Sequence, residues 1–510
     1  MENNLPNSWE LVKLVEELNF LPTGVTEFKG TKKYYSTGSI QDNEYTPEGE
    51  FTFNNRPSRA NRIAEIGDVL QARMKATDKG ILVDEKLDGQ LFSTGFLQIR
   101  PFGNTYHNKL LYYLIKSDLF LSQKNDLATG STQEALTDNG ASEIEIPIPP
   151  LAEQHRIVTK LDAVMQKVES NKQRLDKIPK LLRRFRQSVL ATAVNGKLTE
   201  DWRTLNTNIE NASLLLDKIE ISRSSSNPKL SKSYLEEYSY NIETPESWIQ
   251  CRLGQIHDEL TDYHANGSYV ILKKNVELLD KPDYAMMIRA TNFEKNNFAS
   301  LMLYINEHGY NFLKKSKLFG GEVIIGKIGN AGKVYYMPQL NSPCSLAMNL
   351  FALKFNSEFI KSKYIYYYLT SIYGEVDIKN YIKGVGNITI DKISIRSLLI
   401  NLPPYEEQIE IVRRVEQLFA FADKFEARYM KAKAMLDKLP QSILAQAFRG
   451  ELVAQDPNDE PASVLLERIK KEKERLAAEK KGKKTKTYSI EEKPLKIAAE
   501  EKVKYKKAKM

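Results

Sequence analysis

The chain has 510 residues, of which 41% are hydrophobic and 27% charged, with a formal net charge of +8 and only two cysteines, Cys251 and Cys344. That length exceeds a single core and suits about three folding units at ~150 residues each. The absence of an apolar run of about 18 residues or a signal-like start argues against a membrane span or export, and two cysteines supply neither a disulfide framework nor a zinc cluster, which fits a reducing cytoplasm. The excess charge is local: residues 468–510 carry 17 Lys and Arg against 7 Glu, a balance of +10, so the rest of the chain sums to −2. Such basic tails are usually solvated, and the total by itself says nothing about what the body binds.

Leu5-Pro6-Asn7-Ser8-Trp9 opens a block of strand-like runs, Gly turns and short helices, and Thr244-Pro245-Glu246-Ser247-Trp248 opens another. Within the blocks, Gly67-Asp68-Val69-Leu70 and Gly321-Glu322-Val323-Ile324 lie 254 positions apart, and each reads as a turn entering a buried strand. A glycine-rich turn, Gly326 to Lys333, follows in the second block. The first block has Ala72 to Lys79 there, without glycine. Aromatic helix-like runs come next at Leu110–Leu114 and Tyr364–Leu369, then polar turns at 129–133 and 383–387. Last strands at Ile144–Ile148 and Leu398–Leu402 end the blocks.

Each block runs into a long heptad segment. The first starts Pro149-Pro150-Leu151-Ala152-Glu153-Gln154, and the second Pro403-Pro404-Tyr405-Glu406-Glu407-Gln408, again 254 apart, as are the closing glycines Gly196 and Gly450. Ile157, Leu161, Val164, Val168, Asn171, Leu175, Ile178, Leu182, Phe185 and Val189 step by 4 and 3. Ile411, Val415, Leu418, Ala422, Phe425, Tyr429, Ala432, Leu436, Leu439 and Ile443 do so in the same phase. Such a narrow stripe faces one partner helix, and each helix would span roughly 65 Å at ~1.5 Å per residue. Pro179 and Pro440 predict a bend or break late in each, because an interior proline loses a hydrogen bond and clashes, at a cost of ~3 kcal/mol. Short helices repeat at Ala212–Ile219 and Ala462–Ile469.

Apparent catalytic motifs fail on chemistry. Asn401-Leu402-Pro403-Pro404-Tyr405 resembles the Asn-Pro-Pro-Tyr loop of adenine methyltransferases, but Leu402 interrupts it. Gly321 to Ile328 has phosphate-loop spacing, but Ile328 stands where the metal-binding hydroxyl is needed. His107, His155, His257, His264 and His308 show no ligand spacing. No cofactor or metal is expected.

Two size-matched blocks, each followed by Pro-Pro-x-x-Glu-Gln and a long helix ending Gln-Ser-x-Leu-Ala-x-Ala-x-x-Gly-x-Leu, resemble the specificity subunit of type I restriction–modification enzymes over residues 5 to about 470. The resemblance implies an α+β fold: two similar globular α/β target-recognition domains separated by two long antiparallel coiled-coil helices, with pseudo-twofold symmetry. The segments are then a first target-recognition domain (1–148), the first central helix (149–203), a linker with a short helix (204–243), a second target-recognition domain (244–402), the second helix (403–452), and a short helix with the Lys-rich tail (453–510). The resemblance further implies a non-catalytic, cytoplasmic subunit that reads a bipartite double-stranded DNA target. Its partners are two methyltransferase subunits, which bring S-adenosylmethionine, and the restriction motor subunits. A modification-only system fits the same sequence. A coiled-coil scaffold without DNA fits less well, since the blocks are too elaborate for spacers. Cations suit phosphates, and amide or hydroxyl groups suit base edges. Arg73, Lys75, Thr77, Lys79 and Ser131 supply these in the first block, and Lys327, Asn330, Lys333, Lys383 and Asn387 in the second. For any single one, a solvated turn residue is the plainer reading.

Overall fold

The computed structural model describes residues 5–14, 18–41, 44–103, 105–226, 243–300 and 302–486. The chain divides into two compact units, Met1–Arg174 with Ala432–Met510, and Leu175–Lys431. Each unit therefore contains one globular domain, the start of the helix that follows that domain, and the end of the other helix.

In the first unit, Glu10–Lys13 pairs antiparallel with Glu145–Ile148, so the segment after Trp9 meets the strand that feeds the Pro-Pro helix. A four-stranded antiparallel sheet places Leu18–Phe20, Phe96–Pro101, Val69–Ala72 and Gly80–Leu82 side by side, and a second four-stranded sheet carries the parallel pairing of Leu91–Phe92 with Tyr34–Tyr35. Val69–Ala72 is buried throughout, the polar Gln71 included. The helices Asn108–Ile115 and Asp118–Asp126 lie between this sheet and the domain's end, the second capped by the Ser117 hydroxyl. Ile157 and Leu161 of the helix Leu151–Leu175 share one core with Leu110, Leu114, Trp9 and, from the far end of the chain, Leu444, Ala447 and Phe448. Burying each such aliphatic side chain contributes ~1.5–3 kcal/mol.

The second unit repeats the construction. Ile249–Arg252 pairs with Leu399–Leu402, and Glu259–Asp262, Leu350–Lys354, Val323–Gly326 and Val334–Tyr336 form the antiparallel sheet. A second sheet contains the parallel pair Ala285–Ile288 with Cys344–Leu346. Ile411 and Val415 share their core with Val189, Leu190, Ala193, Val194 and Trp248. Within this unit Arg414 pairs with Asp201 at 2.6 Å and Arg186 with Asp423 and Glu426 at 2.7 Å each.

The repeated motifs explain each other. The Trp9 indole donates to the buried Glu153 at 2.8 Å, and the Trp248 indole to Glu407 at 2.8 Å. Gln154 accepts from the His107 amide at 2.7 Å and donates to the Pro149 carbonyl at 2.9 Å, while Gln408 does the same for Lys361 and Pro403 at 2.9 and 3.1 Å. Gly450, at φ +77°, and Gly196, at φ +81°, end the helices in the left-handed region, and a Cβ there would lie 2.3 and 2.5 Å from Cγ of Pro6 and Pro245. The terminal glycine and the proline of Pro-x-Ser-Trp are thus one packing contact, made twice.

Of the two breaks expected in the long helices one is present: the first divides into Leu151–Leu175 and Ile178–Val194, because Pro179 sits at the start of the second piece, where its missing N–H costs nothing. The second runs unbroken from Tyr405 to Phe448 with Pro440 inside it. The prolines are not at equivalent positions: adding 254 to 179 gives Lys433. The heptad stripe is buried only toward its ends, at Ile157, Leu161, Val168 and Val189 and at Ile411, Val415, Ala422 and Ile443, whereas Asn171, Phe425, Ala432 and Leu439 are exposed. The tail begins as structure, since the helix from Ala462 continues to Lys486, and 487–510 lie outside the described residues. No described helix is long and apolar enough to cross a membrane.

Candidate nucleic-acid interface

Backbone pairing joins two separate turns in each domain. In the second, Gly329 N–H donates to the Ile388 carbonyl and Ile390 N–H to the Lys327 carbonyl, both at 3.1 Å, while Lys383 and Thr389 exchange bonds of 2.9 and 2.8 Å. The glycine-rich turn and the turn 383–387 are therefore one platform, which brings Lys327, Asn330, Lys333, Lys383 and Asn387 onto neighbouring backbone. In the first domain, Lys75 N–H donates to the Glu134 carbonyl at 2.9 Å and Leu136 N–H to the Arg73 carbonyl at 2.8 Å. These are the same bonds 254 residues earlier, and they bring Arg73, Lys75, Thr77 and Lys79 beside the hairpin tip that carries Ser131. The first domain thus builds the platform without the glycines.

What holds the glycine-free turn is a residue the sequence did not advertise. Lys124 is buried on the helix Asp118–Asp126, and its ammonium donates to the carbonyls of Met74 at 2.9 Å, Ala72 at 3.4 Å and Thr77. Burial pushes its pKa down to about 8. Next to it the Asn125 Oδ1 accepts from the Ala76 amide at 2.9 Å, holding Ala76 at φ +58°.

Most of the sequence-selected cations meet carboxylates. Arg73 pairs with Asp138 and donates to the Phe96 and Leu136 carbonyls at 3.2 and 3.0 Å, which makes it a clamp between strand and turn. Lys75 pairs with Glu134 at 2.6 Å, and Lys383 with Asp391 at 3.0 Å; both lysines are exposed, and surface pairs of this kind are worth ~0–1 kcal/mol, so a phosphate can take the carboxylate's place. Lys79 donates to the Thr37 carbonyl at 2.9 Å, and the Thr77 carbonyl is held by Lys124. Lys327 and Lys392 both reach the buried Asp262, at 2.7 and 2.9 Å. Burial pushes that carboxyl up, but the two ammonium bonds outweigh it and hold it below its ordinary value. Glu294 collects Asn330 at 2.6 Å and Lys333 at 3.1 Å, and the bond from Lys333 lowers its pKa. Ser131 and Asn387 are exposed in their turns. Val385, fully exposed, stands 254 positions after Ser131, so the two tips present a hydroxyl and an apolar group at matching places. Among the described residues no group of three or more His, Cys, Asp or Glu side chains is placed to hold a metal ion.

Comparison with known proteins gives these arrangements a context. A family model described as the type I restriction modification DNA specificity domain matches residues 9–180 and again 245–431. The chain is 31% identical over 386 residues to the type I restriction enzyme EcoKI specificity subunit of Escherichia coli K12, covering 73% of each, and 29% identical over 389 residues to the EcoBI specificity subunit of Escherichia coli, covering 74% of each. A solved HsdS subunit from Thermoanaerobacter tengcongensis shares the fold at a TM-score of 0.56 and 22% identity, covering 88% of this chain and 98% of that one. A chain from a structure concerning complex assembly and conformational transition of the type I R-M system does so at 0.58 and 23%, covering 88% and 99%.

Proposed function

We propose that this chain, which belongs to the type I restriction modification DNA specificity family, reads a split double-stranded DNA target with one platform in each domain and catalyses nothing itself. The observation that carries the reading is the duplicated platform: two turns tied by identical backbone bonds 254 residues apart, bearing Lys75 and Ser131 in one domain and Lys383, Val385 and Asn387 in the other. Exposed lysines suit phosphates, and the short side chains at the tips suit base edges. Because the tips differ, the half-sites differ.

The two long helices act as an antiparallel coiled-coil spacer in a pseudo-twofold subunit. The falling-against-rising contacts of Arg186 and Arg414 and the shared buried ends of the heptad stripes support this. Two methyltransferase subunits, which carry S-adenosylmethionine, and restriction motor subunits are the partners, and the setting is the cytoplasm. The test is to map methylated adenines in random-sequence DNA exposed to this chain with its methyltransferase. A bipartite motif with a fixed gap is expected, and none with the chain alone. Methylation at a single continuous site, or by the chain alone, overturns the reading. Removing one heptad from both helices shortens the spacer by ~10 Å, about three base pairs, and the gap in the motif should shrink or binding fail.

A further inference from the structure

The second domain has a further surface that its platform does not use. Asp262, the residue that holds Lys327 and Lys392, ends a strand, and the chain then runs through Tyr263–Asn266 into the short helix Tyr269–Asn275. Gly267, at φ +148°, makes the corner. Leu272 is buried with Val276, Tyr263 and Ile305, which fixes the helix to the domain. The three residues before it point outward: Tyr269, Val270 and Ile271 are 60%, 62% and 48% exposed. Three consecutive large apolar side chains in water carry a free-energy cost that a binding partner removes.

What surrounds this ridge identifies the partner. Lys273 and Lys274 follow it, both exposed. Asn266 donates to the Ser316 hydroxyl at 3.0 Å and accepts from the Lys315 amide at 2.9 Å, which brings the exposed Lys314 and Lys315 alongside. Lys75, Lys327, Lys333 and Lys383 meet carboxylates, whereas among the described residues Lys273, Lys274, Lys314 and Lys315 have no ion-pair partner. Four lysines without carboxylate partners beside an apolar ridge complement a polyanion such as a phosphate backbone. Apolar wedges flanked by cations are how proteins enter the minor groove and part a base step. In the first domain the stretch after the corresponding edge strand Leu18–Phe20, residues 21–30, has no run of exposed apolar residues.

We propose that Tyr269 and Val270, the two most exposed of the three, form a wedge against a DNA base step, with Lys273, Lys274, Lys314 and Lys315 on the flanking phosphates, so that the second domain kinks the duplex it reads. This rests on the DNA-reading function above. The experiment uses the full chain with its methyltransferase and duplexes carrying the mapped target, labelled at both ends for energy transfer. Exchanging the four lysines for glutamine should make the plot of log affinity against log salt shallower by about 3–4, at ~0.9 per phosphate lost. Tyr269→Ser with Val270→Ser should straighten the duplex and leave that slope unchanged. All six side chains are on the surface, so thermal unfolding should stay at the wild-type value, and Lys→Arg at the four positions should restore the slope. A wild type that methylates no split target overturns the DNA reading itself. A wild type that does, with both variants at wild-type slope and bend, overturns this surface alone. Variants that bind DNA normally but lose the methyltransferase overturn it in favour of a protein interface.

Discussion

The two platforms reach one backbone arrangement by opposite means. In the second domain the turn closes on glycine: Gly332 lies at φ +80°, and a Cβ there would stand 2.4 Å from Cγ2 of Ile378, while a Cβ on Gly326 would stand 2.0 Å from the Asn330 carbonyl oxygen. In the first domain the residue matching Ile378 is Lys124, and its buried ammonium gathers the turn's carbonyls from below. One turn is held by close packing that leaves no room for a side chain, the other by polar satisfaction of groups that packing leaves open. A backbone shape can therefore be kept while the residues that enforce it are exchanged. Each residue is intelligible only with the turn it holds, Lys124 with Ala72, Met74 and Thr77, and Ile378 with Gly332.

The sharpest way to break this comparison is to remove the amine. Lys124→Met leaves three carbonyls without their donor and should cost about 3–5 kcal/mol by denaturant unfolding. It should abolish reading of one half of the target in methylation maps and spare the other. A milder, reciprocal test is Gly332→Ala, expected to cost roughly 2–3 kcal/mol from left-handed backbone and the clash with Ile378, and to damage only the other half. At the matching position Asp78→Gly should change stability by under about 1 kcal/mol. Equal effects of the two glycine exchanges would show that the domains are held alike.

The Trp–Glu contacts sharpen the comparison further. Glu407 also receives the Thr199 hydroxyl at 2.6 Å and the Arg203 guanidinium, whereas Glu153 has the Gln455 amide besides its Trp. Trp9→Phe should therefore destabilise by about 2 kcal/mol and Trp248→Phe by about 1 kcal/mol, read as unfolding midpoints.

A smaller asymmetry is in acid. His257 of the second unit is buried, and burial, with the charges of Arg223 and Arg396, lowers its pKa to about 3. A lowered folded-state value means the unfolded chain takes up a proton near pH 6.5 that the folded chain refuses. The stability associated with neutral His257 is thus present above pH 6.5 and falls as pH drops toward 3. Between pH 6.5 and 5 the loss should be about 1.5–2 kcal/mol, and His257→Leu should remove that part of the pH dependence. Smallest of all, Lys75→Gln and Lys383→Gln should move stability by under about 1 kcal/mol, while each makes the salt dependence of DNA binding shallower by ~0.9 if it holds a phosphate.

Much of the architecture was legible in the residues alone, because repetition and periodicity are properties of neighbours along the chain. The offset of 254, the heptad stripes, the buried strands at Val69 and Val323, the aromatic helices and the helix-ending glycines all follow from local pattern. The tertiary structure alone decided what depends on distant segments meeting. It showed that the Trp of each Pro-x-Ser-Trp serves the Glu of the next Pro-Pro helix, 144 and 159 residues on. It broke the helix before Pro179 and carried the other through Pro440, since a proline's cost depends on whether a helix starts there. Charge was the least legible property. A lysine's sequence neighbours do not reveal that Lys327 is neutralised by Asp262, that Lys124 lies buried under a turn, or that Lys273 and Lys314 meet no carboxylate among the described residues. Electrostatic and hydrogen-bond satisfaction are settled across space, between groups that the chain brings together only when it folds.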